Sequence, residues 1–362
     1  MKSIVFFIEE PLKINQGFMY IQTVKLDQYR PIVIGPFPNS HNTLFQFEHY
    51  YNLNEIKDLG AFFKEKSVVA IHAHQGKHAL EILPTAIKYN IPLIVHFRGR
   101  DSSTQTEKRY RKNMERYQDL IKHGAGYFAV CQFLAEELKK LGFPGEKVHV
   151  LYGGLDLNLY SYTEHSLPQE GEIKILSVAR LVEKKGFLTL FKAFQRIQQE
   201  YPRTTLHIIG TGQDEEKLRS YIHEHQLDNR IFLRGSMDSK QISNELREAH
   251  LFCLPSETGS DGDVEGIPNA LKEAMASGLP VVSTYHGGIP ELIEHKRTGY
   301  LAPEKNDLEL AQGLKYFLDH PEEWKGYTER ARQMIEEKFD SNIQIQVQQR
   351  LYGLIENSKK KK

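Results

Sequence analysis

The sequence predicts an α/β protein made of two doubly wound parallel-sheet domains. Short apolar runs rich in Ile, Val and Phe alternate with helical patterns along the chain, the signature of parallel strands covered by helices on both faces. The runs fall into two series with a polar connector between them. A length of 362 residues suits two cores, at roughly 150 residues per domain.

The first series runs through residues 3–8, 31–35, 68–72, 91–97, 126–131 and 147–151, with helical stretches between. The second runs through 173–178, 205–209, 231–233, 251–254, 280–283 and 300–301. Residues 157–171 collect Tyr, Ser, Thr, Pro and Gly and resemble an exposed connector, so the boundary is expected near 165. That gives a first domain over 1–165 and a second over 166–340. A helix over about 322–339 and another over 342–357 close the chain, which ends in four lysines at 359–362. Ligands of doubly wound sheets bind beyond the carboxyl ends of the strands, so a cleft between two such domains is the expected site.

Composition narrows the function classes. Lys and Arg number 47 and Asp and Glu 47, so no global field draws the chain to nucleic acid, and a charge-driven partner must use a local patch. Cys131 and Cys253 both sit in apolar runs, as core thiols of a reducing compartment do, and the cytoplasm is the expected location. The run at 3–8 is closed by Glu9 and Glu10 instead of a cleavage site, and no stretch approaches the roughly 20 apolar residues of a spanning helix. Membrane contact, if any, is expected at the surface only.

The segment from Ser256 to Ser283 carries the most chemistry. It leaves the strand at 251–254, passes a polar loop and enters a helix near Pro268, a residue suited to the first helical position. The backbone N–H groups of Gly266 and Ile267, with the helix dipole, suit a diphosphate or sugar hydroxyls. Glu265 lies in that loop and Glu273 at the edge of the helix's buried face, where a merely solvated acid is the alternative. After the strand at 173–178, Arg180 and Lys185 stand where a guanidinium and an ammonium clamp phosphate oxygens, or where they simply line a charged surface loop. Gly210 and Gly212 follow the strand at 205–209, but Glu215 takes the place of a third glycine. The pair therefore predicts a tight turn with backbone near a nucleotide, not a nicotinamide site.

Other groups carry weaker signals. Asp261 and Asp263 have the chemistry of a divalent-metal pair, yet short Asp/Gly loops form for turn reasons and Arg180 and Lys185 already supply positive charge, so no metal is expected. His72 and His74 alternate onto one strand face with no third ligand in view, and His223 and His225 lie in a polar helix. Residues 98–122, with Lys108, Arg109, Arg111, Lys112, Arg116 and Lys122, form a basic patch for anionic lipid headgroups or an acidic acceptor, or else a solvated helix face.

With these residues placed, the chain resembles the retaining glycosyltransferases of the GT-B fold typified by glycosyltransferase family 4. Glu265 and Glu273 reproduce its Glu-x7-Glu signature, and Arg180 to Gly186 looks like its donor-phosphate clamp. Gly210-x-Gly212, Gly287-Gly-Ile-Pro-Glu291, Ile71-His-Ala-His74, Arg98-Gly-x-Asp101 and Tyr152-Gly-Gly-Leu-Asp156 are similar to further family segments, in order along the whole chain. The segment around Asp263 to Pro268 resembles enzymes of bacterial exopolysaccharide assembly more than sucrose or glycogen synthases. The resemblance implies two Rossmann-like domains, an acceptor-binding one and a donor-binding one, with the last helix crossing back to the first. It implies hexosyl transfer from a UDP- or GDP-sugar, with retention, to a glycan or lipid-linked acceptor. Glu273 would take the ribose hydroxyls, Glu265 with Gly266, Ile267 and Pro268 the donor sugar, and Arg180 with Lys185 the departing diphosphate. Many relatives have a histidine where Arg98 stands, so the acceptor-side role falls to His96 or His74. A nucleotide-sugar epimerase or hydrolase on the same architecture, and a non-catalytic nucleotide-sugar-binding protein, are the alternatives.

Overall fold

The computed structural model describes residues 1–13, 16–99 and 101–360, so Arg100 of the basic patch lies outside the described residues. The chain divides into two compact units, Met1–Gly154 with Ser341–Lys362, and Leu155–Asp340.

The first unit holds a seven-stranded sheet in the order β3-β2-β1-β4-β5-β6-β7, every pairing parallel. Its strands are β1 (Ser3–Phe7), β2 (Arg30–Gly35), β3 (Tyr50–Asn52), β4 (Val68–Ala73), β5 (Leu93–Phe97), β6 (Gly126–Ala129) and β7 (Val148–Val150). Six match the apolar runs; β3 is a three-residue edge strand that no run announced. β1, β5 and β6 are buried along their whole length and β4 from Ala70 onward, as strands covered on both faces must be. The helices used below are α1 (Gly17–Val24), α3 (Gly76–Lys88) and α4 (Glu107–His123), the last capped by the Thr106 side chain on the Arg109 N–H.

The second unit holds a six-stranded parallel sheet in the order β10-β9-β8-β11-β12-β13. Here β8 is Ile173–Val178, β9 Thr204–Ile209, β10 Ile231–Leu233, β11 Leu251–Cys253, β12 Val281–Thr284 and β13 Tyr300–Ala302. The chain steps outward from β8 through β9 to β10, then returns to the other side of β8 at β11. With right-handed crossovers this reversal puts helices on opposite faces and opens a crevice between β8 and β11. Helix α6 (Phe187–Ile197) buries Phe187, Leu190, Phe191, Phe194 and Ile197, at helical spacing, into a core shared with Leu310, Leu314 and Phe317 of α10 (Asp307–Asp319).

One boundary differs from expectation, and the final helix falls in the first unit as the resemblance implied. The first unit ends at Gly154, not near 165, because residues 155–165 are tied to the second unit: Thr163 N–H donates to Ser277 O at 3.1 Å and the Tyr162 and Thr328 hydroxyls pair at 2.9 Å. The final helix α12 (Ser341–Lys360) belongs to the first unit, where Ile345, Leu351, Tyr352 and Ile355 join the apolar core of β1, β4, β5 and β6. Gln349 fixes its register, accepting from Asp27 and Gln28 N–H through Oε1 and donating to the Asp27 carboxylate.

Candidate functional site

The loops that follow β8 and β11 flank the crevice of the second sheet, and they are bound tightly to each other. Gly186 has φ +68°, and a Cβ there would collide with the Pro255 carbonyl oxygen, so only glycine lets the loops approach this closely. Glu257 N–H donates to Lys184 O at 2.8 Å, and Thr189 Oγ1 donates to the Glu257 carboxylate at 2.9 Å. This brings two lysines from one loop against the acids of the other. Lys184 Nζ lies 2.8 Å from Glu265 Oε1 and 3.2 Å from Asp263 Oδ1, and Lys185 Nζ lies 3.1 Å from Glu265 Oε2. Burial by itself would push the Glu265 carboxyl up, but Lys185 and Lys184 outweigh it and hold the group at about 2. Lys185 is itself pulled below its ordinary value, by burial first, against the pull of Glu265.

Arg180 ends the same strand and makes no side-chain hydrogen bond among the described residues; its guanidinium is exposed. Lys185 thus serves Glu265 in this state, but an ammonium carries three donors and keeps capacity for phosphate beside the open guanidinium.

Helix α9 (Asn269–Ser277) starts at the far end of the loop, with Pro268 at the N-cap rather than inside the first turn. The N–H groups of Gly266, Ile267, Asn269 and Ala270 donate to no protein atom among the described residues. An open N-terminus of this kind presents partial positive charge to an incoming oxygen. Glu273, one turn along α9, is part-buried beside the Tyr160 phenol; burial raises its carboxyl to about 7, against the weaker pull of Lys272 and the Tyr160 hydroxyl. It is not the solvated acid of the alternative reading.

Three residues that sequence reasoning missed support this loop. His286, after β12, accepts the Glu265 N–H at Nε2 (3.0 Å), and its Nδ1 lies 2.7 Å from Glu304 Oε1. Because Nε2 accepts from a backbone donor, the ring proton sits on Nδ1 and is donated to Glu304. The other Glu304 oxygen accepts the Thr258 N–H at 2.7 Å. Lys184 is the third; only its place beside Lys185 in a strand-end loop hinted at it.

Other expected members are placed differently. Gly210 and Gly212 make room for protein backbone: Cβ atoms there would strike the carbonyl oxygens of Ala179 and Leu181, and the Gly210 N–H already donates to Gly235 O at 2.7 Å. Asp261 Oδ1 accepts the Asp263 N–H at 2.9 Å and Asp263 pairs with Lys184, so these acids close the loop. His223 and His225 are exposed.

In the first unit, pairing of β4 with β5 supplies the third histidine that was not in view. His72, His74 and His96 bring ring nitrogens within 4.8 Å of one another. Arg98 Nη2 lies 2.9 Å from His74 Nδ1 and 3.1 Å from His96 Nδ1, so a guanidinium already stands among them. Burial first, with Arg98 adding, drives all three rings well below the ordinary histidine range, His72 to about 3. A metal ion would have to share the cluster with that cation. His96 has no solvent exposure in this state, and its Nδ1 faces the Arg98 guanidinium.

The crevice at the reversal point, the opposed loops and the open helix start place a candidate binding site beyond the carboxyl ends of the second sheet. Model matches agree: residues 162–334 match the family described as glycosyl transferases group 1, and residues 23–159 match glycosyltransferase family 4. Between them the two matches take in most of both units, so the chain is similar along most of its length to glycosyltransferases of family 4 and group 1. Among curated proteins it is 39% identical over 229 residues to the Escherichia coli (strain K12) glycosyltransferase WcaL, named for colanic acid biosynthesis, covering 63% of this chain and 56% of that one. It is 37% identical over 214 residues to the amylovoran biosynthesis glycosyltransferase AmsK of Erwinia amylovora, covering 59% and 52%. The matched stretch thus spans little more than half the length of these curated relatives. The fold is similar to that of Anabaena Alr3699/HepE in complex with UDP-glucose (TM-score 0.77, 20% identity, 96% and 98% of the two chains). It is equally similar to sucrose-phosphate synthase from Thermosynechococcus elongatus (TM-score 0.77, 15% identity, 99% and 100%), which establishes the GT-B fold.

Proposed function

We propose that this chain is a retaining hexosyltransferase that moves a sugar from a nucleoside-diphosphate sugar to a glycan or lipid-linked acceptor in bacterial cell-surface polysaccharide synthesis. The observation that carries the reading is the convergence of an open guanidinium (Arg180), the Lys185–Glu265 pair, an unsatisfied helix start and a proton-poised Glu273 around one crevice. WcaL and AmsK, both named for exopolysaccharide assembly, support the process, and HepE with UDP-glucose supports the donor class.

In this reading Arg180 and Lys185 take the diphosphate and stabilise the charge that builds on it as the glycosidic bond breaks. Glu273 receives the ribose hydroxyls, whose donors favour its charged form. Glu265 and the N–H groups of Gly266 and Ile267 orient the sugar hydroxyls. No protein nucleophile is required: a leaving phosphate oxygen takes the acceptor proton on the face the sugar leaves, so configuration is kept. The lysines and Arg180 supply the positive charge that a divalent ion supplies elsewhere. The exposed basic residues of α4, Lys108, Arg111, Lys112, Arg116 and Lys122, fit peripheral docking on an anionic membrane from the cytoplasmic side. Among the described residues no helix is long and apolar enough to cross a membrane.

The test is thermal stabilisation by UDP, GDP, ADP and CMP and their sugar derivatives. A ligand at about 100 times its Kd adds roughly 2.7 kcal/mol. A shift selective for one nucleoside diphosphate and lost in Arg180→Ala and Glu273→Ala is expected; no shift with any of them overturns the reading.

A further inference from the structure

Arg98 presents an unusual balance of charge. Its guanidinium stands at the carboxyl end of β5, part-buried, with its planar face 4.9 Å above the Phe18 ring of α1. Every hydrogen-bond partner of its Nη2 is neutral: Gln22 Oε1 at 2.8 Å, His74 Nδ1 at 2.9 Å and His96 Nδ1 at 3.1 Å. The rings are held in place from behind, His72 Nδ1 by the Tyr352 hydroxyl at 2.6 Å and His74 Nε2 by Thr23 Oγ1 at 3.3 Å. Nε is buried without a partner. No carboxylate forms an ion pair with Arg98 among the described residues. The nearby acid, Asp101, directs its oxygens instead to the backbone N–H groups of Gly76 (3.0 Å) and Arg98 (3.3 Å).

A guanidinium drawn this far from water is ordinarily matched by a carboxylate or phosphate, because an uncompensated buried charge is costly. Here three neutral acceptors surround one terminal nitrogen and share its two N–H groups, fixing the plane, while Nη1 donates to no protein atom among the described residues. That is how a receptor for an outside anion is built: rigid, desolvated on one side and short of one negative charge.

We propose that Arg98, positioned by Gln22, His74 and His96, is an oxyanion-binding residue that takes a carboxylate or phosphate group of a substrate in the first unit. This makes the substrate recognised there anionic, and it makes the buried histidines positioning residues for the guanidinium.

The test is direct binding to the full chain, independent of turnover, so its failure is separate from failure of the transferase reading. Methyl glucuronide, methyl phosphate and neutral methyl glucoside are titrated at matched ionic strength into wild type, Arg98→Gln and Arg180→Gln, with calorimetric detection. The expected result is binding of one or both anions that is weakened at least about tenfold in Arg98→Gln, over and above whatever part Arg180→Gln removes at the diphosphate clamp, with the glucoside indifferent to Arg98. Preference for the glucuronide assigns a sugar carboxylate, and preference for methyl phosphate a phosphorylated carrier or sugar. Equal anion binding in wild type and Arg98→Gln, or loss in Arg180→Gln alone, overturns the proposal. Should Arg98→Gln not fold, wild type decides: the glucoside binding as tightly as either anion overturns it.

Discussion

Glu273→Gln isolates one carboxyl whose burial opposes its charge. The folded chain holds the Glu273 proton more tightly than the unfolded chain, at about 7 against 4.5. Its contribution is therefore fully favourable below the unfolded value and is lost as pH rises towards about 7. The whole difference amounts to about 3 kcal/mol at 1.36 kcal/mol per pH unit, and roughly 2.5 kcal/mol of it is expressed between about pH 5 and about pH 8. Gln keeps the size and the bond to Tyr160 but cannot ionise. The variant should gain stability on wild type as pH rises, and at roughly 2–4 °C per kcal/mol its advantage in Tm should widen by about 5–10 °C over that range. Scanning calorimetry of both chains across the range is the assay. Taking the difference removes every other titrating group, including Glu265, whose slope has the opposite sign. Parallel Tm–pH curves would refute the reasoning, and with it the picture of a buried acid with room for further hydroxyl donors. The same substitution should abolish nucleotide stabilisation, so stability and function part company at this residue.

Lys184→Met leaves Asp263 and Glu265 short of a buried partner and should cost about 3–5 kcal/mol at neutral pH by denaturant titration. Glu265 is held low, so its stabilisation is present above 4.5 and lost as pH falls towards 2, and the penalty of Lys184→Met should shrink in acid. Gly210→Ala meets both φ +145° and the Ala179 carbonyl, and should destabilise by about 2–3 kcal/mol with nucleotide binding otherwise retained in the folded fraction. His286→Leu removes the acceptor of the Glu265 N–H and should weaken nucleotide-sugar binding about tenfold, read by calorimetry, while UDP binding changes less.

The strands were legible because buried parallel strands are continuous apolar runs, and 12 of 13 could be named from such runs. β3 could not, since Tyr50–Asn52 is three half-buried residues on an edge. The donor-side acids and bases were visible as types in strand-end loops, but their pairing was not. Nothing in the sequence states that Lys185 faces Glu265 rather than solvent, or that Gly210 faces a carbonyl. The histidine cluster shows the same limit: alternation put His72 and His74 on one face, while His96 joins through the register of the adjacent strand. His286 and Glu304 lie 18 residues apart and meet only because β12 and β13 run side by side.

The first unit is discontinuous along the chain, interrupted after Gly154 and completed by α12 from Ser341. During synthesis, at roughly 5–20 residues per second, about 10–40 s pass between emergence of its last strand and emergence of its last helix. Throughout that interval the surface later covered by Ile345, Leu351, Tyr352 and Ile355 is bare, and His72 lacks its phenol partner. The inserted unit, contiguous from Leu155 to Asp340, can complete its own core first. The inserted unit thus matures before the unit that flanks it, and a truncation just before Ser341 would leave the first unit with its apolar face bare, a natural client of chaperones.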